Sequence, residues 1–277
     1  MSTPATTAAP PAARPALLRE ARETLLLAGR SLRTIPRVPE RLIDVTVQPA
    51  IFIVLFLYVF GSAIHVPGMT YTDFLLPGII AQQIAFSVIG AGTATATDMA
   101  EGVVDRFRSL PIARLSVVTG QVLGQYCEAL LGVVVVTALG LVLGWTPDMS
   151  LSDLLVTIAL VMFTLFAFMW AGVLLGMTFR SADAVQGIGF SVMLPLTFMA
   201  GTFVPIAGMA AIPRAIAEWN PISPLVAALR QLTEGVPSAG GSWPLEHPIA
   251  GTLLWATALL AVCVPWALRR FRQVAEG

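Results

Sequence analysis

The sequence predicts an all-α, polytopic membrane protein with six transmembrane helices. An amphipathic interfacial helix precedes them, and short external or re-entrant helices lie between the fifth and sixth spans. The composition supports this fold class, because 56% of the 277 residues are hydrophobic and only 12% are charged, whereas soluble domains are roughly 25% charged. Six apolar runs are each long enough to cross a bilayer. Arginines are crowded in alternate connecting segments, as expected for a chain that crosses a membrane repeatedly.

The N-terminal region is predicted to stay outside the bilayer core. Residues 1–15 are mostly Ala, Pro and Thr and lack the apolar stretch of a signal peptide, so we expect a disordered cytoplasmic tail. Residues 16–41 form an interfacial helix and a linker, because leucines recur at helical spacing there. The arginines that flank this apolar stripe are Arg19, Arg22, Arg30 and Arg33.

The transmembrane domain is predicted to occupy residues 42–268, followed by a cytoplasmic tail at 269–277. The six spans are expected at about 43–64, 74–97, 116–144, 153–179, 184–205 and 249–268, with the external helices in 206–248. The fifth span contains Pro195, Gly201 and Pro205, which predict a kinked or broken helix. Broken helices at membrane depth are tolerated where they line a cavity or are buried in protein.

Polar residues in the second and fifth spans are candidates for the transport path. Glutamine and threonine within a span are better placed against protein or a water-filled path than against lipid. Interhelical hydrogen bonds are the favoured role of those in the second span, and contact with a substrate is the alternative. The candidate path residues are Gln82, Gln83, Thr93, Pro195, Phe198 and Thr202.

The third span has glycines at four-residue intervals, and Glu128 lies on the same ridge. Small residues at this spacing let helices approach closely, so the ridge is expected to face protein. An intramembrane carboxylate suggests a function. The favoured alternative places Glu128 near the inner interface, beside Gln121 and Gln125. The Gly172–Gly176 pair predicts a second close helix contact in the fourth span.

The arginines predict the orientation. Fourteen of the sixteen lie in segments that would share one side of the membrane, and only Arg214 and Arg230 would lie on the other. The positive-inside rule therefore places both termini in the cytoplasm.

Several kinds of chemistry are missing from the sequence. It contains no lysine, so it has no Gly-Lys-Ser/Thr phosphate-binding loop, and no zinc-hydrolase or nucleophile-elbow motif is present. The neutral net charge gives no nucleic-acid footprint. Cys127 and Cys263 lie in apolar runs and are interpreted as small buried hydrophobes. We therefore expect no catalytic residue, no metal site and no cofactor in this chain.

A short charged segment, residues 101–114, separates the second and third spans. Its acidic and apolar residues recur at helical spacing, and Pro111 ends the pattern. Such a segment could transmit a conformational change from a soluble partner, or it could be a solvated loop. Its candidate contact residues are Glu101, Val104, Asp105, Arg106, Phe107, Arg108, Leu110 and Arg114.

Five blocks of the sequence resemble the ABC-2 type permeases, most closely the daunorubicin-resistance subfamily. They are Leu57–Ile64, Phe74–Ile79, Gly102–Arg114, Phe198–Pro205, and Asn220–Pro221 with Ala228–Arg230. The resemblance implies the permease subunit of an ATP-binding-cassette exporter in a bacterial cell membrane. The 101–114 segment would dock on the ATPase, with the N-terminal amphipathic helix nearby.

The same resemblance implies the composition of the complex. Two ATPase subunits would bind ATP and magnesium, and two permease copies would form a homodimer. The expected substrates are amphipathic or hydrophobic drugs, antibiotics or lipids. An ion-coupled transporter using Glu128, or a membrane-embedded enzyme using Glu128 or His65, is the alternative, but the chain lacks a recognisable catalytic constellation.

Overall fold

The computed structural model describes residues 39–64, 66, 68–101, 114–179, 181–237 and 241–276. Every regular element in these ranges is a helix, as the sequence predicts. The helices are α1 (Pro39–Leu55) with a π-helix (Phe56–Phe60), α2 (Tyr71–Ala100), α3 (Arg114–Val142), α4 (Leu151–Phe179), α5 (Ala182–Phe198), a 3-10 turn (Ile206–Gly208), α6 (Ala211–Glu218), α7 (Ser223–Glu234), α8 (Trp243–Glu246) and α9 (Pro248–Glu276).

Three of the helices follow a residue whose side chain caps the first turn, namely Thr70 before α2, Ser150 before α4 and Ser181 before α5. The Thr70 hydroxyl accepts from the Asp73 amide at 3.3 Å and donates to the Asp73 carboxylate at 2.6 Å, which starts α2. Ser181 accepts from the Ala184 amide in the same way at the start of α5. These bonds satisfy amides that have no partner within the helix.

Four helices in the described ranges are long and apolar enough to cross a bilayer. They are Tyr71–Ala100, Val122–Val142, Leu151–Phe179 and Pro248–Arg270. The apolar parts of α1 and α5 are shorter, at Val47–Phe60 and Ala182–Phe198. The structure therefore supports four of the six predicted spans by length and composition.

The fifth helix ends earlier than the sequence analysis expected. The predicted span continues to residue 205, whereas α5 ends at Phe198. Gly201 adopts a φ of +73°, a left-handed conformation that residues with a Cβ rarely adopt, and it turns the chain out of the helix. The chain between Phe198 and the 3-10 turn at Ile206 is therefore irregular.

Helix α2 is the centre of the bundle and packs against α3, α4, α5 and α7. Its contact with α4 is close because both helices present small residues. A Cβ on Gly172 would lie 2.4 Å from the Val88 carbonyl oxygen, and one on Gly176 would lie 2.3 Å from that of Gly92. Close packing through this glycine pair is thus confirmed. Of the glycines on the predicted ridge, those at 124, 132 and 140 are buried, whereas Gly144, after the end of α3, is exposed.

Helices α6, α7 and α8 cover one end of the bundle, and we call them the cap. They lie over the first turn of α2, the α3–α4 connection and the start of α9, and the indole of Trp145 donates to Glu234 at 2.8 Å. The last turn of α2 and the first turn of α3 lie at the other end. The short helices of the cap therefore cover the end of the bundle where α2 begins, and the opposite end is where α2 finishes and α3 begins.

Candidate functional site

A cavity of about 480 Å³ lies between α1, α2, α3 and α5. Its lining combines amide, hydroxyl and carboxyl groups with aliphatic and aromatic side chains, and we call it the polar cavity. The polar residues of its wall are Gln48, Gln82, Gln83, Ser87, Thr93, Gln125, Glu128 and Gln186.

One face of α2 supplies much of this wall. Ile79, Gln82, Phe86 and Thr93 recur at intervals of three, four and seven residues, which aligns them on one side of a helix. Gln125 and Glu128 are likewise three residues apart on α3. The polar residues therefore converge because amphipathic faces of separate helices meet.

The structure brings together only part of the predicted path. Gln82, Gln83 and Thr93 line the polar cavity, and Glu128 joins them from α3. The other candidates, Pro195, Phe198 and Thr202, are absent from the cavity's lining. Phe198 belongs to an aromatic cluster, and Thr202 is completely buried in the segment that follows α5.

The hydroxyl groups of α2 do not form the interhelical hydrogen bonds that the sequence favoured. Thr93 donates to the Ile89 carbonyl at 2.9 Å, Thr95 to Ala91 at 2.7 Å, and Thr97 to Thr93 at 2.9 Å. Serine and threonine in a helix can bond the carbonyl three or four residues earlier without a neighbouring helix. That expectation was wrong for these hydroxyls because their own backbone satisfies them.

Stacked aromatic rings border the polar cavity on the side of the cap. Phe52 lines the cavity, and its ring centroid lies 6.2 Å from that of Phe56 and 6.1 Å from that of Phe203. Phe56 and Phe203 stack at 4.1 Å, and Phe198 lies 4.7 Å from Phe203. These four residues are the aromatic cluster. Phe56 opens the π-helix, an irregularity often found at functional sites.

Arg230, on α7, joins three separate parts of the chain at the cap. Its guanidinium donates to the backbone carbonyls of Phe74 at 2.9 Å, Gly201 at 2.8 Å and Thr202 at 3.1 Å. Burial lowers the pKa of Arg230 to about 9, so the side chain remains cationic at neutral pH. The sequence marks Arg230 as an external arginine within one of the five resemblance blocks, but it gives no sign of these carbonyl contacts.

Further hydrogen bonds connect α5 and the segment that follows it to neighbouring elements. The Asn220 amide donates to the Leu196 carbonyl at 2.6 Å, and the Tyr71 hydroxyl donates to the Phe203 carbonyl at 3.3 Å. Burial raises the pKa of the Glu234 carboxyl, although its bond from Trp145 opposes that shift. The segment after α5 is therefore held at several points.

The charged segment at 101–114 lies largely outside the described residues. Glu101 is exposed where α2 ends, and α3 begins at Arg114. Val104, Asp105, Arg106, Phe107, Arg108 and Leu110 lie outside the description, as do the arginines of the N-terminal helix, Arg19, Arg22, Arg30 and Arg33. Their roles stay predictions.

Comparisons with known proteins point to membrane transport. A family model described as ABC-2 type transporter matches residues 22–233. The chain is 30% identical to a daunorubicin resistance ABC transporter permease protein of Streptomyces coeruleorubidus, over 94% of this chain and 89% of the relative. It is 24% identical to the inner membrane transport permease YadH of Escherichia coli K12, over 82% and 87%. The match to the family model includes the polar cavity, the aromatic cluster and Arg230.

Proposed function

Because this chain belongs to the ABC-2 type transporter family, we propose that it is the transmembrane permease subunit of an ATP-binding-cassette exporter that moves amphipathic or hydrophobic compounds out of the cell. Drugs, antibiotics and lipids are the candidate cargoes. The relative from Streptomyces, whose name refers to daunorubicin resistance, supports this cargo class. The permease itself is not catalytic, and ATP hydrolysis belongs to a separate subunit.

The polar cavity is the observation that best supports this function. Its volume of about 480 Å³ lies within the roughly 300–1,000 Å³ of small-molecule sites. Amide groups from Gln82, Gln83 and Gln186 could bond the polar part of a cargo, while Phe52 and Phe86 offer apolar surface to the rest. An amphipathic compound needs both kinds of wall.

The proposed topology has six spans, of which α1 and α5 are the first and fifth. The arginine distribution supports cytoplasmic termini in a bacterial cell membrane, with the cap on the outer side. In this orientation the aromatic cluster lies between the polar cavity and the outside. Cargo would enter the cavity from the cytoplasmic half and leave only when these rings separate.

Coupling to ATP hydrolysis is proposed to pass through the 101–114 segment. Two ATPase subunits that bind ATP and magnesium would dock there, beside the N-terminal interfacial helices of a permease homodimer. Closure of the ATPases would tilt α1, α2 and α5 and thereby switch access to the cavity. The segment can drive this change only if it contacts the ATPase differently in the two states.

Charge reversal of Glu101 and Asp105 tests the coupling role. The double variant Glu101→Arg, Asp105→Arg should assemble less well with the ATPase or lose transport-stimulated ATP hydrolysis in proteoliposomes. A matched control reverses two exposed acids near the cap, Asp148→Arg and Glu246→Arg. Transport and stimulated ATP hydrolysis that both stay at wild-type levels in an assembled complex would show that the coupling assignment is wrong.

The position of Glu128 in the cavity wall provides one reason to test an ion-coupled mechanism. Proteoliposomes can be supplied with either ATP or a proton gradient while export is measured. An ATP-driven exporter should transport without the gradient and stop when ATP is removed. Export that needs the gradient and survives without ATP would instead favour ion coupling through Glu128.

A further inference from the structure

We propose that the cap contains a binding site for the headgroup of an aminophospholipid, with its phosphate on Arg214 and Arg230 and its primary ammonium on Glu218. This site is separate from the polar cavity and goes beyond cargo transport. It depends on one part of the proposed topology, which is that the cap lies at the membrane surface.

The site is a second cavity, of about 500 Å³, between the cap and the bundle. We call it the cap cavity. Its charged wall consists of Arg214, Glu218 and Arg230, and most of the remaining lining is apolar, including Val226 and Leu245. A headgroup that carries one negative and one positive group, joined to apolar atoms, would match such a wall.

The two arginines supply the anion-binding part. Between residues 181 and 268 the sequence contains only these two basic residues other than histidine, yet both line the same cavity. An arginine has five N–H donors in a fork that matches phosphate oxygens. Arg214 has one hydrogen bond to a carbonyl, that of Ala207, so most of its donors remain for a ligand. Arg230 adds a second guanidinium to the same wall, and its bonds to carbonyls use Nε and Nη2, so the Nη1 donors remain for a ligand.

Glu218 supplies the complementary charge. It lies one helical turn from Arg214 on α6, so both side chains share a face of that helix. In the described structure neither side chain forms an ion pair. A zwitterionic headgroup would give each of them a partner of opposite charge, which free phosphate cannot do.

Gly241 and Ser242 pack against Glu218 without displacing its carboxylate. Gly241 has a φ of +128°, and a Cβ there would lie 3.0 Å from a Glu218 carboxylate oxygen. Ser242 donates to the Glu218 backbone carbonyl at 2.7 Å. The contact between this segment and the end of α6 therefore exists without a ligand, and that part of the cavity rim is preformed.

The opposite face of α6 explains why a lipid is the proposed source of the phosphate. Ile212, Ile216 and Trp219 recur at helical spacing and are 77%, 48% and 62% exposed. A short helix with a large apolar face and a charged face is typical of the membrane interface, and tryptophan is enriched there. Helix α6 would thus lie at headgroup depth, with acyl chains on one side and the cap cavity on the other.

Lipid retention by the purified full-length chain tests this site without the ATPase. The chain is reconstituted in phosphatidylcholine nanodiscs and titrated with phosphatidylethanolamine or phosphatidylglycerol, and retained lipid is counted by native mass spectrometry. Inorganic phosphate is added as a competitor in a separate arm. The variants are Arg214→Gln and Glu218→Gln, with Arg270→Gln as the control, because Arg270 is an exposed arginine at the opposite end of the chain's last helix.

We expect one phosphatidylethanolamine to be retained in preference to both other lipids. Each cap variant should weaken that retention roughly tenfold, since each removes a charged hydrogen bond, while Arg270→Gln should leave it unchanged. Equal retention of the three lipids, displacement by millimolar phosphate, or wild-type retention in Arg214→Gln would overturn the proposal. Failure of ATP-driven export with retention intact would count against the proposed function alone.

Discussion

The guanidinium of Arg230 lies 3.5 Å from the centre of the Phe74 ring and also donates to the Phe74 backbone carbonyl at 2.9 Å. One cation thus contacts the same residue twice. It also reaches the irregular segment after α5 through Gly201 and Thr202. The first turn of α2, the end of α5 and the cap are therefore joined through a single side chain.

Replacing Arg230 with lysine should weaken this junction although the charge is retained. A lysine cannot reproduce the planar fork that reaches three carbonyls, and each lost charged hydrogen bond costs about 1.5–3 kcal/mol. We expect Arg230→Lys to lower the thermal unfolding temperature of the purified chain by several degrees. Arg270→Lys is the matched control, because Arg270 is exposed on α9 and lines neither cavity. Equal unfolding temperatures for Arg230→Lys and wild type would contradict the role assigned to the fork.

Replacing Gly176 with alanine should force α2 and α4 apart. The added Cβ would lie 2.3 Å from the Gly92 carbonyl oxygen, which belongs to the backbone and cannot rotate away. We expect a loss of roughly 1–3 kcal/mol, the usual range for overpacking, measured as a lower unfolding temperature. Gly187→Ala is the control, since nothing lies within 4 Å of its Cβ. If both variants unfold alike, the close contact does not limit stability.

Replacing Phe56 with leucine should loosen the aromatic cluster while keeping the position apolar. The variant loses ring contacts with Phe203 and Phe198, which are worth about 0.5–1.5 kcal/mol per pair. We expect faster passive leak of cargo from loaded proteoliposomes and higher ATP hydrolysis without transport. Phe179→Leu, at an exposed position on α4, is the control. A leak rate equal to that of wild type would remove the cluster from the access pathway.

Replacing Gln83 with leucine should weaken cargo recognition without destabilising the fold. The substitution removes one amide from the polar cavity and fills similar volume with apolar atoms. Loss of a single hydrogen bond of about 1 kcal/mol should raise the cargo concentration for half-maximal transport roughly fivefold. Gln231→Leu replaces an exposed glutamine outside the cavity and should have no effect. A half-maximal cargo concentration in Gln83→Leu equal to that of wild type would refute the assignment of the cavity.

The helices were predictable because their signals are local. Apolar runs of bilayer length and polar connections located α2, α3, α4 and α9, and four-residue spacing of small residues located the close contact at Gly172 and Gly176. Gln82, Gln83 and Thr93 could also be identified, because polar residues within apolar runs stand out in a sequence. Their convergence with Glu128 in one cavity required the packing of separate helices.

The Arg230 junction and the aromatic cluster could not be predicted, because they depend on contacts between distant parts of the chain. Arg230 bonds carbonyls of residues 74, 201 and 202, and backbone carbonyls give no sequence signal. Phe52 and Phe56 are four residues apart in the sequence, but Phe198 and Phe203 complete the aromatic cluster from another part of the chain. The hydroxyls of α2 were misassigned because sequence alone does not distinguish a bond to the helix's own backbone from one to a neighbour.

We predict that α2 acts as a lever with its pivot at the cap. At its first turn, α2 is bonded to other elements through Tyr71 and Phe74, and the hydroxyls at 87, 93, 95 and 97 bond carbonyls of α2 itself. A tilt about the first turn would leave the hydroxyl bonds intact, and α4 would have to move with α2 because the two helices are in close contact at Gly172 and Gly176. Since the helix rises 1.5 Å per residue, a rotation of about 10° would move its far end by roughly 7 Å. The largest displacement would then occur where the chain continues into the 101–114 segment.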